Sequence, residues 1–135
     1  MNPAKVKRFV QQKLGCACPD DVFERIKVKS GNAKTLYQWK IVIGQRLLIT
    51  ICQIDERRQI EKMLRSIVIS GKKERDRHGL KRFRVVLATE EVDRLAPVAK
   101  RVFEDLRSGD EKMHLHVVRM EDVKDLKEDS MGTRI

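Results

Sequence analysis

Aromatic residues are scarce in this chain: one Trp, one Tyr and four Phe make up 4% of its 135 positions. So small a supply leaves few platforms on which unpaired bases stack. Phe9, Phe23, Tyr37, Trp39, Phe83 and Phe103 also fall mostly at core-like positions. Cysteine is nearly as rare, and three, an odd number, argue against a disulfide framework. No apolar run approaches the ~20 residues that span a bilayer. The longest runs, Ile41 to Ile43 and Leu47 to Cys52, have strand length. Met1 to Gly15 carries four basic residues in an amphipathic pattern without an apolar signal core, so the expectation is a cytoplasmic protein with no membrane attachment. Motifs that carry chemistry are also missing: there is no G-x-x-x-x-G-K-[ST], G-x-G-x-x-G or G-x-S-x-G run, no zinc-finger spacing and no RNP1 signature.

What the chain has is charge. Thirty Lys and Arg against twenty Asp and Glu leave a formal net charge of +10. The excess is uneven. Met1 to Ala88 holds 21 basic and 8 acidic residues, whereas Thr89 to Ile135 holds 9 and 12. Such asymmetry predicts a positive face that attracts phosphates or another acidic partner, although solubility alone also favours a net charge. The richest segment, Arg57 to Arg84, has 11 basic and 3 acidic residues. It reads as two parts: Arg57, Arg58, Lys62 and Arg65 on a helix, then Lys72, Lys73, Arg75 and Arg77 in a loop. These eight are the candidate nucleic-acid-binding residues, with a plain solvated face as the alternative.

Periodicity supplies the elements. Asn2-Pro3 opens a helix whose stripe is Val6, Phe9, Val10 and Leu14, with Gly15 as its stop and a second short helix beginning at Pro19. Ile26 and Val28 alternate with lysines as a half-buried strand. Tyr37, Trp39, Ile41 and Ile43 form one face of the next, and Gly44-Gln45 is a two-residue hairpin turn. Leu47 to Ile54 is apolar on both sides and should be central. Asp55 is expected to cap a helix carrying Ile60, Met63, Leu64, Ile67 and Val68 that ends at Gly71, leaving Lys72 to His78 as the loop. Lys81 to Ala88 is a fourth strand. Thr89 caps a third helix, which Pro97 should kink or divide. Lys112 to Met120 is a fifth strand, and Glu121 to Glu128 a terminal helix.

The expected fold is therefore a single α/β (α+β) domain over residues 1–129 with a frayed tail at 130–135. Its elements run α-β-β-β-α-β-α-β, with helices packed on a mixed five-stranded sheet. Three strands joined by short turns make an antiparallel meander, and the last two follow helical crossovers. This order matches the core order of one large nuclease fold class, which holds metal with acids on the second and third strands. Leu36 to Ile43 contains no acid and Gln45 to Ile54 none before Asp55, so nuclease chemistry is not expected.

Cys16 and Cys18 are the most pointed chemical signal. Two apart beyond a helix end, they can aim both sulfurs at one point. Thiolates suit zinc and other soft ions, but a structural zinc requires four ligands. Cys52, His78, His114 and His116 are the residues that can complete such a site. His114 and His116, two apart on a strand, project from one face. Dithiol–disulfide cycling is the competing reading, and Cys52 also reads as a small buried apolar residue. The run Phe9-Val10-Gln11-Gln12-Lys13-Leu14-Gly15-Cys16-Ala17-Cys18-Pro19-Asp20-Asp21-Val22-Phe23 resembles the opening of a group of small prokaryotic proteins that begin Leu-Gly-Cys-x-Cys-Pro. That resemblance implies a prokaryotic cytoplasmic origin and no particular activity. The first expectation is thus a binding protein with a Cys16–Cys18 thiol site, metal-binding or redox, and the second a basic nucleic-acid-binding module.

Overall fold

The computed structural model describes residues 3–15, 23–31, 37–124 and 126. Five strands, β1 (Ile26–Ser30), β2 (Trp39–Ile43), β3 (Leu47–Gln53), β4 (Arg82–Thr89) and β5 (Met113–Arg119), lie side by side in chain order. β1–β2 and β2–β3 are antiparallel, β3–β4 and β4–β5 parallel. The mixed sheet is the one the periodicity implies.

Alternation in the central strands splits the core in two. Ile41, Ile43, Leu47, Ile49, Ile51, Val86 and Ala88 face α1 (Pro3–Gln12) and the helical residues 120–124, where Val6, Phe9, Val10 and Val123 meet them. Leu48, Cys52, Phe83, Val85 and Leu87 face the other way, onto α2 (Ile60–Arg77) and α3 (Val92–Arg107). β3 is buried at six of its seven positions, which is the apolar-on-both-sides pattern of a central strand. Gly44 and Gln45 both have φ +57 and Arg46 N–H bonds Ile43 C=O at 3.0 Å, so the β2–β3 turn is of type I′.

Four local expectations are corrected. Thr89 does not cap α3: it ends β4, and Glu91 stands at the N-cap. Asp55 does not cap α2: a 3-10 turn over Arg57–Gln59 precedes the helix, with Glu56 at its N-cap. Gly71 does not end α2, which continues six residues further to Arg77. Its stop is Gly79, at φ +64, where Leu80 N–H bonds Arg75 C=O at 2.8 Å and Gly79 N–H bonds Asp76 C=O at 3.3 Å. That pair of bonds is a Schellman motif. Gly71 instead makes room for a neighbour, since a Cβ there would overlap the Phe83 ring. Finally, α3 is not divided at Pro97. Pro97 and Asp93, whose carbonyl loses its usual partner, both lie on the exposed side, where water can satisfy it. The expected short helix at Pro19 and the tail lie outside the described residues, as do residues 125, 127 and 128 of the expected terminal helix. No helix among the described residues is long and apolar enough to cross a membrane.

Gly71→Ala tests the notch. In an unconstrained helix the change would stabilise by up to ~1 kcal/mol. Here overpacking against Phe83 should reverse the sign and cost about 1–3 kcal/mol in denaturant unfolding. Phe83→Leu in the same chain should recover part of the loss, giving a favourable coupling in a double-mutant cycle. A Gly71→Ala variant more stable than the parent would contradict the contact.

Candidate nucleic-acid interface and cysteine–histidine region

The extension of α2 changes the basic segment. Because residues 72–77 are helical, the two sequence parts become one surface. Lys62, Arg65, Lys72, Lys73 and Arg77 are all exposed, and at about 100° per residue they share the solvent-facing half of the helix. Arg57 and Arg58 extend the row through the 3-10 turn. The helix alone is about 27 Å long at 1.5 Å per residue. Ile69, half exposed, sits within this face.

Some of these cations are already committed. Arg58 pairs with Glu56 at 2.8 Å and Arg65 with Glu61 at 3.1 Å, both in solvent and weak. Arg75 departs from the expectation altogether. Its side chain is buried, 2.9 Å from Asp110 and 3.1 Å from Asp76, and it ties α2 to the turn before β5. The Arg75 bond holds the Asp110 carboxyl below its usual range. Arg75 is therefore a structural ion-pair residue, out of reach of a polyanion. Arg57, Lys62, Lys72, Lys73 and Arg77 have no ion pair among the described residues.

Cys16 and Cys18 lie outside the described residues. Cys52 is fully buried between β3 and the α2–α3 layer, where burial pushes its thiol up to about 12. His114 and His116 are on the opposite face of the sheet, so Cys52 is not brought to them, and His78 is exposed at the C-cap of α2. Among the described residues no three His, Cys, Asp or Glu side chains gather as a metal site.

The two histidines do have a neighbour that the sequence reading missed. Arg84, beside His114 in the β4–β5 register, donates from Nη1 to His116 Nε2 at 2.7 Å and to Leu14 C=O at 3.2 Å. Leu14 is buried, lies two residues beyond the end of α1 and stands two residues before Cys16. Because a guanidinium only donates, His116 Nε2 accepts and the ring carries its proton on Nδ1. Neither nitrogen then has a lone pair free for a metal ion. Burial, then Arg84, then His114 push His116 down to about 4, and His114 is lowered by burial and by Arg84, Arg82 and Arg107. Burial and the nearby Arg82 lower Arg84 as well. The region is thus cationic and half-buried. The period of two was the available signal, for it puts the Arg84 guanidinium on the same covered face of a central strand as Val86 and Ala88.

Comparisons with protein-family models, curated proteins and solved structures find no match to this chain.

The histidine geometry fixes a pH dependence. An unfolded His titrates near 6.5 and folded His116 at about 4, so the unfolded state binds the extra proton between those values. The His116 contribution should be constant above pH 7 and fall as pH drops from about 6.5 toward 4. His116→Gln, which keeps an acceptor for Arg84 but does not titrate, should flatten that decline in denaturant midpoints taken from pH 7 to 5. Equal slopes for parent and variant would contradict the buried neutral imidazole.

Proposed function

We propose that the protein binds the phosphate backbone of nucleic acid through the outer face of α2, as a cytoplasmic module that acts by binding. The supporting observation is the continuity of α2 through Arg77. It lines Lys62, Lys72, Lys73 and Arg77 along one helix, with Arg57 in the 3-10 turn before it, and none of the five has an ion pair among the described residues. Released counterions supply the driving force, so affinity carries little sequence information and falls steeply with salt. If all five cations engage, the slope of log K against log salt on a duplex is about −4 to −5.

The test measures duplex binding across a salt series. Lys62→Gln, Lys73→Gln and Arg77→Gln together should reduce the slope by about 2–3, at ~0.9 per cation. A control of equal charge loss on the sheet edge, Arg25→Gln, Lys27→Gln and Lys29→Gln, should reduce it by much less. Identical losses in the two variants would mean that net charge alone, and no particular surface, drives binding.

A second reading has its own support. Arg84 holds Leu14 C=O, two residues before Cys16 in the sequence, and a cation near a cysteine would favour thiolate over thiol while opposing a metal cation. This favours the redox form of the thiol reading over zinc. In that form two thiols pass two electrons and two protons to a partner disulfide, which leaves as a dithiol. Thiol titration of the native protein should then find two reactive groups and a third, Cys52, only after unfolding. Three unreactive thiols in the native protein would end this reading.

A further inference from the structure

The amino-terminal rim of the parallel strands holds a second group of cations, contributed by segments far apart in sequence. Arg46 C=O accepts from Lys81 N–H at 2.8 Å and Arg82 N–H at 3.0 Å, and Lys112 C=O accepts from Phe83 N–H at 2.9 Å. Three backbone bonds thereby bring Arg46, Lys81, Arg82 and Lys112 to one edge of the sheet. All four side chains are exposed, and none has an ion pair among the described residues. The acids beside them are Asp110, already held by Arg75, and Glu111, whose backbone carbonyl accepts from Arg82 at 3.3 Å. The rim begins where the α2 stripe ends, since only His78, Gly79 and Leu80 separate Arg77 from Lys81. The opposite rim is different. Asp55, Glu56, Glu90, Glu91 and Glu121 stand beyond the carboxyl ends of β3, β4 and β5, where Arg58, Arg94 and Arg119 pair with Glu56, Glu91 and Glu121, so this rim is mixed in charge where the other is basic.

We infer that the rim of Arg46, Lys81, Arg82 and Lys112 is a second phosphate-binding surface, and that the partner spanning it and α2 is double-stranded. The inference rests on the backbone-binding reading of α2 and names its partner. Two rows of cations on different elements, meeting at the Gly79 turn, suit the two phosphate rows that border a groove. A single strand would gain its affinity from stacking. Among the described residues no aromatic ring is exposed: Tyr37 and Trp39 are half-buried and the four Phe are buried. Phosphate contacts of this kind position a duplex without reading its bases.

The experiment compares a duplex of about two helical turns with a single strand of the same length and sequence, in the same salt series. The rim variant is Arg46→Gln, Lys81→Gln and Lys112→Gln, which leaves the Arg82 bond to Glu111 intact and removes as much charge as the α2 and β1 variants. The rim variant should lower the duplex slope by about 2–3 beyond the β1 control and leave single-strand binding nearly unchanged. A rim variant indistinguishable from the β1 control overturns the second surface, while a loss in the α2 variant would still uphold the stripe. Equal losses on duplex and single strand overturn the double-stranded partner. Loss in the rim variant with none in the α2 variant overturns the reading of α2 and keeps the rim as the site. No binding of either nucleic acid by the parent overturns both. Circular dichroism and unfolding midpoints matching the parent establish that each variant is folded.

Discussion

Phe83 resting in the notch left by Gly71 is the contact on which the basic surface depends. A side chain at position 71 would hold α2 away from β4; its absence lets the helix settle on the sheet and continue past the glycine to a Schellman stop at Gly79. The six residues after it are helical, and with them Lys72, Lys73 and Arg77 join the same outward face as Lys62 and Arg65. The ion pair of Arg75 with Asp110 secures that last stretch to the turn before β5. One arginine of the segment is thus spent on structure while its neighbours stay in solvent. The charge distribution follows from packing.

The sheet supplies the rest by separating two environments. On the α2–α3 side the interior is apolar enough to push the Cys52 thiol far from ionisation, and nothing polar is organised around it. On the α1 side, the sheet admits Arg84 between the residues just after α1 and the histidines of β5, where the guanidinium serves the Leu14 carbonyl and an imidazole at once. A cation near the C-terminal end of a helix is favourably placed against its dipole. The cost is an imidazole that resists protonation. Such a site suits an anion or a thiolate better than a metal cation.

Much of the architecture was legible in the sequence because two periods dominate it. The alternation in β2, the double-sided apolarity of β3 and the helical spacing of Ile60 to Val68 each had one sensible reading, and the meander followed by two crossovers came with them. What misled was punctuation. Gly71 reads as a helix stop, yet its purpose is a contact with a residue twelve positions later, which no local pattern announces. Pro97 reads as a break, but an exposed position in the second turn tolerates it. The candidate site was legible in kind and not in shape. The sequence shows that Arg57 to Arg77 is basic, but not that Arg75 turns inward, nor that Arg46 and Lys112 join Lys81 at one rim. Those facts depend on strand pairing. Arg84 and His116 likewise met only through the register of β4 with β5.

The most direct measurement is an amide hydrogen-exchange footprint of the protein with and without saturating duplex DNA at low salt. Duplex binding should slow exchange chiefly on the exposed side of α2 and at Arg46, Lys81 and Lys112, with β1 and the opposite rim around Glu90 and Glu121 unchanged. Protection spread evenly over the surface, or centred on β1, would contradict it.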